Sequence, residues 1–140
     1  MPIITDTISL TTQGHTDICD ITAQAQEVVH KHGLKEGQVT LFVPGSTGAL
    51  TTVEYEPGLL KDLPEAFERM APTGRRYHHD ATWGDGNGYA HVRASLLGPS
   101  LVVPFSGGKL LLGTWQQIIF VDFDNRPRQR NIVAQLIGEP

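Results

Sequence analysis

The chain reads as an α+β domain: a twisted antiparallel or mixed β-sandwich with two main helices. Three observations lead there. Short runs of alternating or β-branched residues recur along most of the chain, separated by Gly, Pro, Asn and Asp turns. Two segments switch instead to an apolar period of about 3.6 residues, the helical signature. The 15 glycines and 9 prolines among 140 residues favour short elements and many turns. A chain of this length fits one domain, 1–140, with a core of its own.

Ile3 to Thr12 is the opening strand, with Ile4, Ile8 and Leu10 on one alternating face. After a turn at Gln13-Gly14-His15, Asp20 or Thr22 caps a helix whose stripe is Ala25, Val28 and Val29 and whose stop is Gly33. His30, Lys31 and His32 fall in its last turn, where cations suit the helix dipole; both histidines are expected to face solvent. Gln38 to Val43 is a buried strand, and Ala49 to Tyr55 a second one. Pro57 introduces a helix from Gly58 to Met70, with Leu59, Leu60, Leu63, Phe67 and Met70 as its buried stripe and Pro64 near its start or at a kink. Four further strands are expected over Ala90 to Leu97, Ser100 to Phe105, Lys109 to Phe123 and Asn131 to Ile137, divided by Gly98-Pro99, Ser106-Gly107-Gly108 and Asp124-Asn125-Arg126-Pro127.

Composition bounds the partners. Eleven basic and 15 acidic residues give a formal charge of −4, which argues against general nucleic-acid or membrane-surface binding. The single cysteine, Cys19, rules out an internal disulfide and a thiolate metal cluster, and reads as a small buried residue. Met1-Pro2-Ile3-Ile4 has no basic start or apolar run of a secretion signal, and no stretch approaches about 20 apolar residues, so the expected setting is the cytoplasm.

Chemistry-bearing residues concentrate in Tyr77-His78-His79-Asp80 and Asp85-Gly86-Asn87-Gly88-Tyr89-Ala90-His91, which read as a glycine-broken loop entering a strand. On such a strand His91, Arg93 and Ser95 share one face, forming either a phosphate-binding surface or an ordinary solvated edge. If the loop folds back, His79 and His91 meet. They are then two ligands of a zinc-like ion completed by Asp80, Glu54 or water, or an acid and a base with Asp80 fixing a tautomer, or structural histidines. Pro44-Gly45-Ser46-Thr47-Gly48 resembles an anion-cradling turn through its amides and the Ser46 and Thr47 hydroxyls. Glu54, on an alternating apolar run, calls for a partner or a function. Trp115 and Gln116 form either a stacking and hydrogen-bonding surface for a flat heteroaromatic ring or a core or interface tryptophan beside Gly113. Arg126, Arg128 and Arg130 read as a solvated strand edge with no catalytic role.

Taken in order, Val43-Pro44, Ser46-Thr47-Gly48-Ala49-Leu50-Thr51, Tyr77 with His79-Asp80, Asp85-Gly86-Asn87, Ala90-His91, Leu97-Gly98-Pro99-Ser100 and Leu112-Gly113-Thr114-Trp115-Gln116 resemble the YjbQ family, nearly end to end. The resemblance implies a trimer with β-sheets packed orthogonally around the threefold axis. It also implies a secondary, low-level thiamine-phosphate synthase activity that joins hydroxymethylpyrimidine diphosphate to thiazole phosphate and releases diphosphate. The family's polar motif positions fall on Glu54, His79, Asp80, Asn87, His91, Trp115 and Gln116; Gly45 and Tyr89 stand where many relatives carry histidine.

In that chemistry Trp115 and Glu54 would stabilise a cation-like methylene, and Ser46, Thr47 and Arg93 would bind phosphate oxygens. A divalent ion, zinc or magnesium, would screen charge near His79 and His91, and one of these histidines would protonate the leaving group. A different metal-assisted enzyme or hydrolase of phosphorylated small molecules, and a non-catalytic trimeric metabolite binder, are the competing readings. Apolar runs at Leu110–Leu112 and Ile118–Phe120 supply surface for a homotrimer contact.

Overall fold

A computed structural model describes residues 1–140 as eight strands and four helices. The strands are β1 (Ile3–Thr12), β2 (Asp17–Asp20), β3 (Glu36–Phe42), β4 (Gly48–Val53), β5 (Ser100–Ser106), β6 (Lys109–Leu110), β7 (Gln117–Asp122) and β8 (Arg128–Glu139). The helices are α1 (Thr22–Lys31), α2 (Leu59–Met70), α3 (His78–Trp83) and α4 (Gly88–Leu97).

All pairings are antiparallel, in two sheets ordered β1-β8-β3-β5-β6 and β2-β7-β4. β1 and β8 pair along ten positions, from Ile3 opposite Ile137 to Thr12 opposite Arg128. The central strand of the smaller sheet, β7, is buried on both faces. From β7, Ile118 and Phe120 enter a core shared with β1, β3, β5, β8 and α1, while Ile119 and Val121 enter a second core with Phe67 of α2, Ala90 and Ala94 of α4, Tyr77, Tyr89 and Phe123. Period-2 alternation therefore sends successive β7 side chains into different cores, which is why that run is almost continuously apolar.

The expected strand over Ala90 to Leu97 is instead helix α4. Its buried residues, Gly88, Tyr89, Ala90, Arg93 and Ala94, follow the helical period, and two alanines let the helix lie close on β4 and β7. Arg93 and Ser95 consequently leave the face assigned to them: Arg93 turns inward and Ser95 stays outside, its hydroxyl donating to the His91 carbonyl at 2.8 Å. The expected strand over Lys109 to Phe123 is broken between β6 and β7 by a turn closed by Gln116 N donating to Gly113 O, with Trp115 on it. His78 to Trp83 forms the one-and-a-half-turn α3 rather than loop.

Of the α2 stripe only Phe67 is fully buried; Leu59, Leu60 and Leu63 are half-buried and Met70 is exposed. Pro64 lies inside the helix. His30 faces solvent, but His32 is half-buried with its Nε2 2.8 Å from Asp6 Oδ2, a contact that heads the causes holding the Asp6 carboxyl down at about 2. Cys19 is half-buried, and burial pushes its thiol up to about 12, the value of an inert packing residue. Ile118, Ile119 and Phe120 lie wholly inside the chain, so that run is no contact surface; Ile3, Leu111, Val102 and Phe42 are among the exposed apolar residues of the sheet region. No helix is long and apolar enough to cross a membrane.

Gly48 opens β4 where a Cβ would stand 2.6 Å from the buried Phe120 ring. Gly48→Ala is expected to lower stability by about 1–3 kcal/mol in urea unfolding, because Phe120 has nowhere to move.

Candidate functional site

The site begins with the turn from α3 to α4. Tyr77 is buried with its hydroxyl donating to Pro72 O at 2.7 Å, and this fixes the start of α3. Gly88 packs so closely that a Cβ there would fall 2.5 Å from the Tyr77 Cβ, and its amide donates to Asp80 Oδ1 at 3.0 Å. Asp80 thus fastens the first turn of α4 to α3. The consequence is convergence of the two imidazoles: the His79 and His91 ring centroids lie 4.3 Å apart with planes tilted by 39°.

His79 Nδ1 is shielded from solvent and has no hydrogen-bond partner. It stands 3.7 Å from both Asp80 Oδ1 and Asp85 Oδ1, beyond hydrogen-bond length. Donor atoms of His79, Asp80 and Asp85 all lie within 4.8 Å of one another, so these three residues fit a shared cation; one nitrogen and two carboxylates suit a zinc-like ion better than magnesium. His91 touches this group through its ring and is not among the converging donors. Burial first, and the neighbouring His79 second, push the His91 pKa below its ordinary 6.5, so the ring favours the neutral form.

His91 is also the wall shared by two cavities. One, of about 330 Å³, is lined by Met70, Ala71, Tyr77, His79 and Val92 among others. The other, of about 200 Å³, is lined by Gly45, Ser46, Gly48, Ser95 and Pro99. Larger open grooves flank α1, about 550 and 660 Å³, but they gather only scattered surface side chains. Converging imidazoles and carboxylates, not volume, mark the site.

Below the turn lies a buried polar cluster that the sequence reading placed on a solvated edge. Arg130 bonds Asp122 through Nε at 2.8 Å and Nη2 at 2.9 Å, and Arg128 Nη2 reaches Asp124 at 2.6 Å. Thr47 Oγ1 donates to Asp124 Oδ2 at 3.0 Å and accepts from Arg130 Nη2 at 2.8 Å; Asn87 Nδ2 donates to Asp124 Oδ1 at 3.2 Å. Burial opposes ionisation of Asp124, but hydrogen bonds from Asn125 N, Asn87, Arg128 and Thr47 outweigh it and hold the carboxyl at about 2. The sequence signal for this cluster was available: Asp122-Phe123-Asp124 ends an apolar run and faces Arg128-Gln129-Arg130 across a short connection.

The remaining candidates are dispersed. Arg93 is 3% exposed; its Nε donates to Ala71 O, Nη1 to Thr16 Oγ1 and Nη2 to Glu68 Oε2, and its guanidinium lies 5.0 Å from the Tyr89 ring. Protein acceptors occupy it, so it braces α4 against α2 rather than facing a phosphate. Glu54 lies past the end of β4, exposed and with no side-chain partner. Trp115 is 72% exposed, and Gln116 Nε2 donates to Thr52 Oγ1 at 3.1 Å. Glu54, Trp115 and Gln116 gather at the far end of β4 and β7. Gly48 lines the His91 cavity, and six residues of extended chain to Glu54 span roughly 20 Å. Within one chain the two groups do not meet.

Fold and site together define an α+β protein of two stacked antiparallel sheets with a histidine–carboxylate pocket against its helical layer. Residues 6–139 match the family described as UPF0047 protein YjbQ-like, and the chain belongs to the YjbQ family. A UPF0047 protein of Archaeoglobus fulgidus is 42% identical, covering 93% of this chain and 98% of its own length; one from Methanothermobacter thermautotrophicus is 36% identical over 100% and 96%. A YbjQ-like protein of unknown function from Sulfolobus solfataricus superposes with a TM-score of 0.93 at 34% identity, covering 99% of each chain.

His91 should titrate below the ordinary imidazole range in an NMR pH series, and His79→Gln should raise its pKa partway, since burial remains after the second imidazole is gone. The unfolded chain takes up this proton first on acidification. The stability contribution is therefore present above about pH 6.5 and is lost as pH falls below it, which is checked by comparing wild-type and His91→Gln unfolding across pH 5 to 8.

Proposed function

We propose that the chain is an enzyme acting on phosphorylated small molecules, and that its reaction is of the secondary thiamine-phosphate synthase type. What carries this reading is the shared wall: His91 belongs both to the imidazole–carboxylate pocket and to the cavity of the Gly45–Gly48 turn. An anion held at the turn would leave its bridging oxygen facing a group able to move a proton. His91, kept neutral by burial and by the neighbouring imidazole, has a ring nitrogen lone pair available to act as a base, and His79, beside Asp80 and Asp85, lines the same pocket. A zinc-like ion held by His79, Asp80 and Asp85 would supply Lewis-acid stabilisation of a departing diphosphate.

Glu54, Trp115 and Gln116 contribute to a synthase only if a second subunit brings them to this pocket, since they lie at the far end of the same sheet. We therefore propose a homotrimer whose pockets lie between subunits, with Trp115 stacking on the pyrimidine and Glu54 stabilising the methylene cation. The separation of the two groups within one chain also favours a second reading: a metal-assisted hydrolase of small phosphoesters, using the histidine pocket alone.

His79→Ala and His91→Ala should each lower kcat/KM for thiamine phosphate formation by about 100-fold or more in a steady-state assay. Full turnover in both variants would rule out the assigned roles.

Subunit complementation separates the two readings. Sedimentation velocity should show a trimer, and mixed trimers of Trp115→Ala and His91→Ala chains should recover part of the activity that each lacks alone. A persistent monomer, or a Trp115→Ala variant as active as wild type, would favour the hydrolase.

A further inference from the structure

The donor inventory around Gly45–Gly48 leaves a set of N–H groups with no protein acceptor. Arg130 has five donor hydrogens. Nε gives one to Asp122 Oδ2, and Nη2 gives two, to Asp122 Oδ1 and Thr47 Oγ1; Nη1 donates to no protein group. That free nitrogen lies 3.4 Å from where a Gly45 Cβ would stand, beside the cavity that Gly45 and Ser46 line. Arg130 is 12% exposed, so the nitrogen is shielded on most sides.

The backbone repeats the pattern. In the turn itself Gly45 N donates to Val43 O at 2.9 Å and Thr47 O accepts from Phe123 N, but the Ser46 and Thr47 amides donate to nothing in the chain. Thr47 is 5% exposed, and an amide in so buried a residue is rarely left without an acceptor. Ser46 Oγ is unengaged as well, whereas the Thr47 hydroxyl is fully committed to Asp124 and Arg130. Consecutive free amides beside a guanidinium edge are the donor set from which anion-binding concavities are built. Asp122 and Asp124 do not oppose it, because they take up the other edge of Arg130 and the Arg128 guanidinium.

We propose that Arg130 is the phosphoryl-binding cation of this protein, seating a phosphomonoester or diphosphate group with the Ser46 and Thr47 amides and the Ser46 hydroxyl. It replaces Arg93, on which all three guanidinium nitrogens already donate to protein acceptors. The inference rests on the proposed function in one respect: the seated group is the phosphoryl group of that substrate, with His91 across the cavity.

The test is calorimetric titration of the full-length protein with inorganic phosphate and inorganic diphosphate, in chelator-treated buffer so that no metal contributes. Removing Arg130 would strand the buried Asp122 carboxylate and endanger folding, so the decisive variant is Gly45→Asp. It sets a carboxylate beside Nη1 and leaves the Arg130–Asp122 pair intact, and Gly45 is outside the positive-φ region that would forbid a side chain. Saturable phosphate binding by wild type is expected, with a Kd weakened about tenfold or more in Gly45→Asp and not competed by acetate. Equal phosphate affinity in Gly45→Asp, no saturable binding by wild type, or competition by acetate as strong as by phosphate would each overturn the proposal. Absence of synthase turnover with phosphate binding intact would sink the functional reading and leave this one standing.

Discussion

The buried ion cluster at the end of β7 is the constraint on which the rest of the structure depends. Asp122 and Asp124 close one sheet and Arg128 and Arg130 open the other, so each carboxylate–guanidinium pair crosses from the three-stranded to the five-stranded layer. Thr12 of β1 adds a hydrogen bond to Asp122, and the Asp124 amide caps the same carboxylate. Breaking such a buried pair costs about 3–5 kcal/mol, a large share of a small domain's stability, because the surviving charge is left without water. The cluster also reaches outward: Thr47 holds the turn under one cavity and Asn87 holds the entrance to α4. Both walls of the site are therefore set by the same carboxylate, Asp124.

That arrangement explains how His91 and His79 meet without being tied to each other. Asn87, anchored to Asp124, sets where α4 begins; Asp80, accepting the Gly88 amide, sets where α3 lies against it. His91, one turn into α4, and His79, at the start of α3, are then brought together by backbone placement alone. No protein group satisfies His79 Nδ1, nor does any satisfy the Asn87 Oδ1 in the adjoining turn. Unmet buried polar atoms cost stability, and their presence beside a cavity is the pattern of a site shaped for something that binds there.

Much of this was legible in the sequence, and the failures share a cause. Alternation in Ile3–Thr12 and the stripe of Ala25, Val28 and Val29 gave β1 and α1 because one face of each is buried and the other solvated. The segment Ala90 to Leu97 defeated the same reasoning: Ala90, Val92, Ala94 and Leu96 alternate, yet the buried set is Gly88, Tyr89, Ala90, Arg93 and Ala94. An arginine on the buried face hides a helical period, since its burial depends on Glu68, Thr16 and the Ala71 carbonyl, all distant in sequence. Arg128 and Arg130 were misread in a related way: each is held by a carboxylate partner, Asp124 four residues back and Asp122 eight residues back, across the connection between two sheets. The histidine constellation was readable because its spacing closes through local turns; which carboxylates accompany it, Asp80 and Asp85 rather than Glu54, depended on α3 being a helix.

Replacing that strand by a helix also changes the electrostatics available to a ligand. On a strand, Arg93 beside His91 would have put a guanidinium and an imidazole on one open face, and an anion would have bound at the surface. In the helix Arg93 neutralises Glu68 and braces α2, so it adds no free positive charge at the pocket. The unspent donors then lie on the other side of His91, at the Gly45–Gly48 turn, where burial makes the Thr47 amide and the Arg130 guanidinium worth more than they would be in water. A bound phosphoryl group would sit between a guanidinium whose charge is already half compensated and an imidazole that favours the neutral form. Such a seat holds the anion through directed hydrogen bonds rather than through net charge, which suits a chain whose overall charge of −4 would otherwise repel it.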